Sequence, residues 1–293
     1  SDVSAISGAE GEPISSRRNP LIKRIRSLQS KAGRENEQCL LLEGTHQVQE
    51  LLVHAQAWID PLQVLATPLW FQRHRALLAA LPGPVQLQLI SSEALDAALS
   101  TVHPDGVACL WPLKRLPSPE PHPNFVLALD RLQDPGNVGT LLRTALAADV
   151  EQVWMGAGAD PLGSKVVRSA AGAILALPYR RFGPTDALGV EQLATVLKDA
   201  RARGLQVVAT LVPDAATGLQ VQPYWQLDWC RPTVLVLGNE GAGLHPRLLA
   251  CCSHGVTLPH GRKVESLNVA AAAVPLLLER RRATMTAPMQ QSG

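Results

Sequence analysis

The sequence lacks the features that mark membrane and secreted proteins. None of its apolar runs approaches the roughly 20 residues of a membrane-spanning helix, so we predict no membrane partner. The first residues, Ser1 to Pro13, are small and acidic, without the basic and apolar regions of a secretory signal. The five cysteines are scattered and odd in number. They favour reduced thiols and a cytoplasmic location, or an organelle matrix or stroma if a transit peptide was removed.

Charge is also sparse. Charged residues form 18% of the chain, below the usual quarter, and the formal net charge is only +2, so overall charge identifies no partner. Hydrophobic residues form 46% of the 293 residues, which is enough to bury a substantial core in two domains of ordinary size.

Several catalytic signatures are missing. There is no Walker phosphate loop and no Gly-x-Ser-x-Gly elbow. The segment Gly156 to Pro161 has proline where a dinucleotide fingerprint needs its third glycine, which argues against a Rossmann cofactor site. Cys251, Cys252 and His254 lack zinc-site spacing and a second ligand pair, so we interpret them as ordinary helix-end residues and predict no metal.

A basic segment near the start contains no acidic residue. Asn19 and Pro20 predict a helix N-cap and first helical position, and apolar residues recur at helical spacing at Ile22, Ile25 and Leu28. That spacing leaves most basic residues outside. The outer face could bind RNA phosphates or simply be solvated, and the residues alone favour neither. The basic residues of this segment are Arg17, Arg18, Lys23, Arg24, Arg26, Lys31 and Arg34.

Strands and helices then alternate, which predicts a small α/β domain followed by a larger one. Four prolines between Lys114 and Pro123 indicate an extended linker between the two. We therefore predict a tail at 1–13, a first domain at 14–113, the linker at 114–123, a second domain at 124–285 and a tail at 286–293. The expected elements of the first domain are helices Thr45–His54, Trp70–Ala80 and Glu93–Leu99, the last capped by Ser91 or Ser92, and strands Gln63–Ala66 and Val85–Ile90.

About five strands separated by helices predict a parallel sheet covered on both faces in the second domain. Pro275 lies inside the last predicted helix and should kink it or remove one hydrogen bond. The expected strands are Phe125–Leu129, Gln152–Met155, Gln206–Leu211, Thr233–Leu237 and Val256–Leu258. The expected helices are Val138–Ala148, Lys165–Ile174, Val190–Arg203, ended by Gly204, and Leu267–Arg282.

Three loops that follow predicted strands are unusual, and ligands of such sheets bind at strand carboxyl ends. The first, Asp130 to Arg143, is polar and enters a helix for which Asn137 is a plausible N-cap. The second, Leu237 to Leu244, has three glycines in six residues, which let backbone approach a ligand. The third, Leu258 to Asn268, ends at an alanine-rich helix. Each loop alone is also compatible with ordinary capping or a tight turn.

Together and in this order, the loops resemble the three signature motifs of the SpoU branch of the SPOUT methyltransferases. The similarity covers about Asn124 to Arg282. The residues that carry it are Asn137, Gly139, Arg143 and Ala145, then Gly238 to Gly243, then Pro259, Ser266, Leu267, Asn268 and Val269. The segments Ile14 to Lys23 and Leu41 to Gly44 resemble the start of the family's substrate-binding domain, which is related to small RNA-binding ribosomal proteins.

This resemblance implies a SPOUT fold with a deep trefoil knot, a homodimer, and transfer of methyl from S-adenosyl-L-methionine to a ribose 2′-hydroxyl of RNA, without a metal. It favours 23S-type rRNA; a tRNA substrate and a catalytically silent ribosome-assembly factor are the alternatives. It also favours RNA contact by Arg17, Arg18, Lys23, Arg24, Arg26 and Lys31. The implied cofactor-binding residues are Thr210, Leu211, Leu237, Gly238, Asn239, Gly241, Leu258, Pro259 and Leu267.

The resemblance also implies a catalytic set. In the family, the residue matching Arg143 has been proposed as the general base, but arginine is essentially always protonated. We therefore predict that Arg143 clamps the target phosphate and stabilises charge on the 2′-oxygen, while Asn137 fixes Arg143 or the ribose. His260 stands where the family often has methionine, at the pocket rim. The implied catalytic residues are Asn137, Arg143, Glu240, Ser266 and Asn268.

Overall fold

Two β-sheets organise the chain in the computed structural model, which describes residues 5–212 and 217–287. The chain divides into two compact units. The first holds Ser1–Pro117 together with Asp160–Ala176, and the second holds Ser118–Ala159 together with Leu177–Gly293. Within the described ranges, no helix is both long and apolar enough to cross a membrane.

The described residues form twelve strands and ten α-helices. The strands are β1 Ile6–Ser7, β2 Cys39–Glu43, β3 Leu62–Ala66, β4 Val85–Leu89, β5 Val107–Pro112, β6 Phe125–Leu129, β7 Gln152–Met155, β8 Tyr179–Arg181, β9 Gln206–Thr210, β10 Val221–Pro223, β11 Thr233–Leu237 and β12 His254–Thr257. The helices are α1 Pro20–Ser27, α2 Lys31–Glu37, α3 Thr45–His54, α4 Pro68–Ala80, α5 Ser92–Ala98, α6 Pro135–Ala147, α7 Ser164–Ala170, α8 Asp186–Ala202, α9 Pro246–Leu249 and α10 Val269–Thr286.

The first unit is built on a mixed sheet in the order β1-β4-β3-β5-β2. Strands β1, β4 and β3 run parallel, whereas β5 is antiparallel to both β3 and β2. Helix α1 begins as predicted, because the Asn19 side chain accepts a hydrogen bond from the Leu21 amide and Pro20 takes the first helical position. Its Ile22 and Ile25 are fully buried in the core of this unit. Ser91, rather than Ser92, caps α5.

Arg34 is a basic residue of this segment that does not face outward. It lies in α2, only 5% exposed. Its guanidinium donates to the Leu28 carbonyl at 3.0 Å and to Asp160 Oδ2 at 2.6 Å. The aliphatic part of an arginine packs well in a core when its charge is paired, and Asp160 supplies that pair within the same unit.

Helix α7 is shorter than the predicted helix Lys165–Ile174. It ends at Ala170 because Ala171 and Gly172 both have positive φ, at 48° and 82°. A Cβ at Gly172 would lie within 2.6 Å of the Glu50 side chain, so only glycine fits there. The chain then continues as a single 3₁₀ turn, Ala173–Leu175.

The second unit contains a seven-stranded sheet in the order β10-β12-β9-β11-β6-β7-β8. All its strand pairs are parallel, which confirms the predicted sheet type. The prediction missed the three-residue strands β8 and β10, which are only partly buried or exposed and so lack a continuous apolar run. Its core packs Trp154 and Leu193 against residues of the central strands such as Val126 and Val236.

Three helix starts in this unit differ from the predictions. Helix α6 begins at Pro135 and is capped by Asp134, so Asn137 is not its N-cap. Helix α8 begins at Asp186, four residues before the predicted start, because Thr185 caps it. Helix α10 begins after Asn268, its N-cap, and continues as one element through Pro275.

Candidate active site

The three unusual loops meet at one edge of the seven-stranded sheet. Strands β12, β9, β11 and β6 are consecutive neighbours and parallel, so their carboxyl ends lie side by side. The loops that follow β6, β11 and β12 therefore share the position where open parallel sheets bind ligands.

Asn137 and Asn268 join the first loop to the third. The Asn268 Nδ2 donates to Asn137 Oδ1 at 3.1 Å. Both residues are fixed by helix ends: the Asn137 amide donates to Asp134 Oδ1 at 2.8 Å, and Asn268 Oδ1 accepts from the Ala271 amide at 3.1 Å. Asn137 thus contacts Asn268 here rather than Arg143.

Glu240 joins the second loop to the first. Its two carboxylate oxygens accept from the backbone amides of Asp134 at 3.1 Å and Gln133 at 3.3 Å. Neighbouring Asn239 closes the glycine-rich turn, accepting from the amides of Gly241 and Ala242 and donating to the Arg131 carbonyl at 2.7 Å. The carboxylate in this turn therefore holds the adjoining loop in place.

Asp130 is a site residue that the sequence analysis did not single out. It is fully buried at the end of β6. One carboxylate oxygen accepts from the His245 amide at 2.8 Å, and the other accepts from Arg131 Nε at 2.8 Å. The hydrogen bond to Asp130 raises the pKa of Arg131. A carboxylate directly after a five-residue apolar strand was the available signal, because such a group must find partners inside the fold.

Arg143 and Ser266 are exposed, and neither side chain has a hydrogen-bond partner within residues 5–212 and 217–287. Arg143 lies on α6 and makes no ion pair or hydrogen bond with the described residues. Ser266 lies in the loop before α10, where all residues from Pro259 to Asn268 are exposed. Within this loop, His260 faces the carbonyl oxygens of Leu258 and Glu265, at 3.0 and 3.4 Å.

The residues predicted to bind a cofactor line the same sheet edge. Thr210 ends β9, and its Oγ1 is buried without a hydrogen-bond partner among the described residues. Leu237 ends β11, and its carbonyl accepts from the Asp130 amide. A Cβ at Gly238 would lie 2.4 Å from the Leu244 amide nitrogen, so the turn requires glycine. The Leu211 amide donates to the Val256 carbonyl, while Pro259 and Leu267 are exposed.

The predicted RNA-binding residues of the first unit surround α1. Arg17, Arg18 and Lys23 are exposed, and their charged groups pair with no side chain of the described residues. Three others have partners: Arg24 pairs with Glu37 at 2.7 Å, Arg26 donates to the Ala97 carbonyl at 3.0 Å, and Lys31 lies 3.9 Å from Glu35.

The cysteines near α9 are buried. Burial raises the pKa of Cys252 to about 12, so it remains a thiol. Among residues 5–212 and 217–287, no group of three or more His, Cys, Asp or Glu side chains is arranged to hold a metal ion.

Two family models match the chain. One is described as the SpoU rRNA Methylase family and matches residues 124–277; the other is the MRM3-like substrate binding domain and matches residues 19–109. The chain belongs to the SpoU rRNA methylase family. The resemblance stated from the three motifs is thereby confirmed.

Individual relatives agree with this SpoU assignment. An uncharacterized tRNA/rRNA methyltransferase of Synechocystis sp. is 39% identical over 272 residues, covering 92% of this chain and 93% of the relative. The 23S rRNA (guanosine(2553)-2′-O)-methyltransferase of Bacillus subtilis is 30% identical over 267 residues, covering 90% and 97%. The crystal structure of an AdoMet-bound rRNA methyltransferase from Sinorhizobium meliloti has a TM-score of 0.70 at 27% identity, covering 95% and 98%. The expected SPOUT-type α/β fold is confirmed by this match.

Proposed function

We propose that the chain transfers a methyl group from S-adenosylmethionine to a ribose 2′-hydroxyl of 23S-type rRNA. The observation that carries this proposal is the joining of the three motif loops at one sheet edge by Asn268–Asn137 and by Glu240. Relatives named as 23S rRNA 2′-O-methyltransferases support the substrate and the position methylated.

The residues at this edge fit the cofactor. The unpartnered, buried Oγ1 of Thr210 is a hydrogen-bonding group that a polar ligand would satisfy. The glycine turn beginning at Gly238 leaves backbone accessible beside it. Bound there, S-adenosylmethionine supplies an electrophilic methyl on a sulfonium. The apolar part of the pocket would come from Leu211, Leu258 and Leu267. Backbone groups around the cofactor would come from Leu237, Asn239, Gly241 and Pro259.

Arg143 is the cation available for the substrate. Because it has no carboxylate partner among the described residues, its five N–H donors are free to bind a phosphate and to stabilise negative charge on the 2′-oxygen. A guanidinium has donors and no acceptor, so Arg143 does not take the proton of the 2′-hydroxyl. A substrate phosphate or a water takes that proton. Ser266, exposed in the adjoining loop, is placed to contact the ribose or cofactor.

The proposal extends to assembly and location. Exposed cations around α1, Arg17, Arg18 and Lys23, would hold rRNA phosphates, assisted by Arg24, Arg26 and Lys31. Helix α10 exposes Val274 and Leu278, each 38% accessible and one turn apart, and we assign this face to a homodimer contact. A trefoil knot and a cytoplasmic location are part of the same proposal, by analogy with the family.

The test is transfer of labelled methyl from S-adenosylmethionine to unmodified total RNA, fractionated into rRNA and tRNA, with nucleoside analysis. We expect a labelled 2′-O-methyl nucleoside in the rRNA fraction. Label only in tRNA would overturn the substrate, and label on a base would overturn the chemistry. Cofactor binding without transfer to naked RNA or to precursor ribosomal particles would favour the silent assembly factor.

A further inference from the structure

A polar notch of about 180 Å³ lies beside α1 in the first unit. Helix α1 forms one wall through Leu21 and Arg24, and strands β3 and β4 form the floor. The notch has room for one small planar group and is too small for an oligonucleotide. It is distinct from the active-site edge, since every residue that lines it belongs to the first unit.

Three glutamines make this notch chemically unusual. Gln63 of β3 and Gln86 of β4 are partners in the strand register, and Gln88 follows two residues later on the same face. Gln63 and Gln86 are exposed, although a sheet face that packs against a helix is usually apolar. Gln86 offers the donor and the acceptor of its amide side by side, with no partner among the described residues. Gln63 Oε1 lies 3.5 Å from Arg24, and Gln88 Nε2 donates to the Leu89 carbonyl at 2.8 Å.

The notch carries little net charge. Arg24 is its one cation, and its Nε already donates to Glu37 at 2.7 Å, while a terminal nitrogen lies 3.5 Å from Gln63 Oε1. The positive charge inside the notch is therefore partly neutralised by Glu37. The unpaired cations Arg17, Arg18 and Lys23 lie outside, at the beginning and on the outer face of α1.

We infer that the notch receives one unpaired adenine of the substrate RNA. Proteins recognise unpaired RNA bases through hydrogen bonds to the base edge, and the donor–acceptor pair of a glutamine amide matches that of adenine. Guanine is most commonly contacted by arginine or lysine, whereas the Nε of Arg24, the cation of the notch, already donates to Glu37. The phosphates on either side of this adenine would lie on the exposed cations Arg17, Arg18 and Lys23. These contacts position the RNA without selecting its sequence. This inference rests on the proposed function, because it takes the substrate to be RNA.

The experiment uses the full chain and a library of RNA hairpins with a randomised eight-nucleotide loop. Bound and input RNAs are sequenced at fixed salt for the wild type, for the double variant Gln63→Leu/Gln86→Leu, and for the control Gln72→Leu, an exposed glutamine of α4. Thermal unfolding of each variant verifies folding. The affinity for the most enriched hairpin is then measured at several salt concentrations. The slope of this dependence separates phosphate contacts from base contacts.

We expect the wild type and Gln72→Leu to enrich adenine at one loop position. The double variant should lose that enrichment and bind the selected hairpin about tenfold more weakly, with an unchanged salt slope. Lys23→Ala should instead weaken the binding of all hairpins by the same factor and lower the magnitude of the salt slope by about 1.

Absence of any base preference in the wild type, preference for another base, or adenine enrichment that survives in the double variant would each overturn the inference. None of these outcomes bears on methyl transfer. Failure of the methyl-transfer assay would overturn the proposed function, even where adenine selection by the glutamines is observed.

Discussion

The side-chain amide of Asn268 donates to Oδ1 of Asn137, a residue 131 positions earlier in the chain. The same Asn268 caps α10 through its Oδ1. One side chain therefore sets the start of a helix and the distance between two motif loops, and substitutions can separate these two effects.

Replacing Asn268 by Asp keeps the cap acceptor but removes the donor to Asn137. We expect a free energy of unfolding within about 0.5 kcal/mol of wild type, because aspartate caps as well as asparagine. Methyl transfer to rRNA should fall at least about tenfold, because the first and third loops are no longer joined. Asn268→Ala should lose transfer in the same way and, because it removes the cap acceptor too, about 1 kcal/mol of stability. Thr185→Ala, which removes the cap of α8, should destabilise similarly while leaving transfer intact. Full activity of Asn268→Asp would contradict this role.

Glu240→Gln tests the link between the second and first loops. The amide keeps one acceptor but turns an NH₂ group toward a backbone amide that needs an acceptor. Because Glu240 is exposed, we expect a stability loss below about 1 kcal/mol and a loss of transfer of about tenfold or more. Glu93→Gln, an exposed acid of α5, is the charge control. Equal kcat values for Glu240→Gln and wild type would remove Glu240 from the site.

Arg143→Ala should abolish measurable transfer, with a loss of at least about 100-fold, as for removal of one donor to a developing oxyanion. Its stability and cofactor affinity should match wild type, because Arg143 has no partner among the described residues. Calorimetric titration with S-adenosylmethionine and single-turnover rates measure the two effects separately. Lys198→Ala, an exposed cation of α8, should behave as wild type. Near-normal turnover by Arg143→Ala would show that another group stabilises the 2′-oxygen.

Arg34 and Lys31 are neighbouring cations of α2 with opposite environments. Arg34→Gln leaves Asp160 without its 2.6 Å partner and should lower the free energy of unfolding by about 2 to 3 kcal/mol. The loss stays below that of a fully buried pair because the Asp160 side chain is 28% exposed. Lys31→Gln should change stability by less than about 0.5 kcal/mol. Urea unfolding of both variants measures the difference, and equal midpoints would show that the Arg34 ion pair contributes nothing.

His254 gives the stability a pH dependence of known sign. Burial, and then the nearby Arg231 and Arg201, lower its pKa below 6.5 in the folded protein. The unfolded chain therefore binds the proton more readily, so stability is full above about pH 6.5 and is lost as pH falls toward the folded pKa. Measured by urea unfolding, the free energy of unfolding of His254→Gln should fall less between pH 7.5 and pH 5.5 than that of the wild type. His103→Gln, an exposed histidine, should retain the wild-type dependence.

Features fixed by local sequence were predictable. The bounds of β6, β7 and β11 were predicted to the residue, because each is a short apolar run between polar segments. The Asn19–Pro20 pair located the start of α1. Asp134–Pro135 carries the same signal for α6, but Asn137 was predicted as the N-cap instead.

Features that depend on distant partners were not predictable. The burial of Arg34 requires Asp160, which is 126 residues away, and no local pattern connects the two. The same holds for the hydrogen bond between the side chains of Asn268 and Asn137: the sequence places both residues in motifs, but does not show that they are in contact. The chemistry of the site could thus be predicted from its motifs, whereas the contacts between its residues are known only from the folded structure.

The central pairing of β6 with β11 has a consequence for synthesis of the protein. Phe125 lies beside Thr233, more than a hundred residues later in the chain. At ordinary rates of protein synthesis, about 5 to 20 s pass before that partner is made. During this interval one edge of an apolar strand is unpaired, which exposes the nascent chain to aggregation.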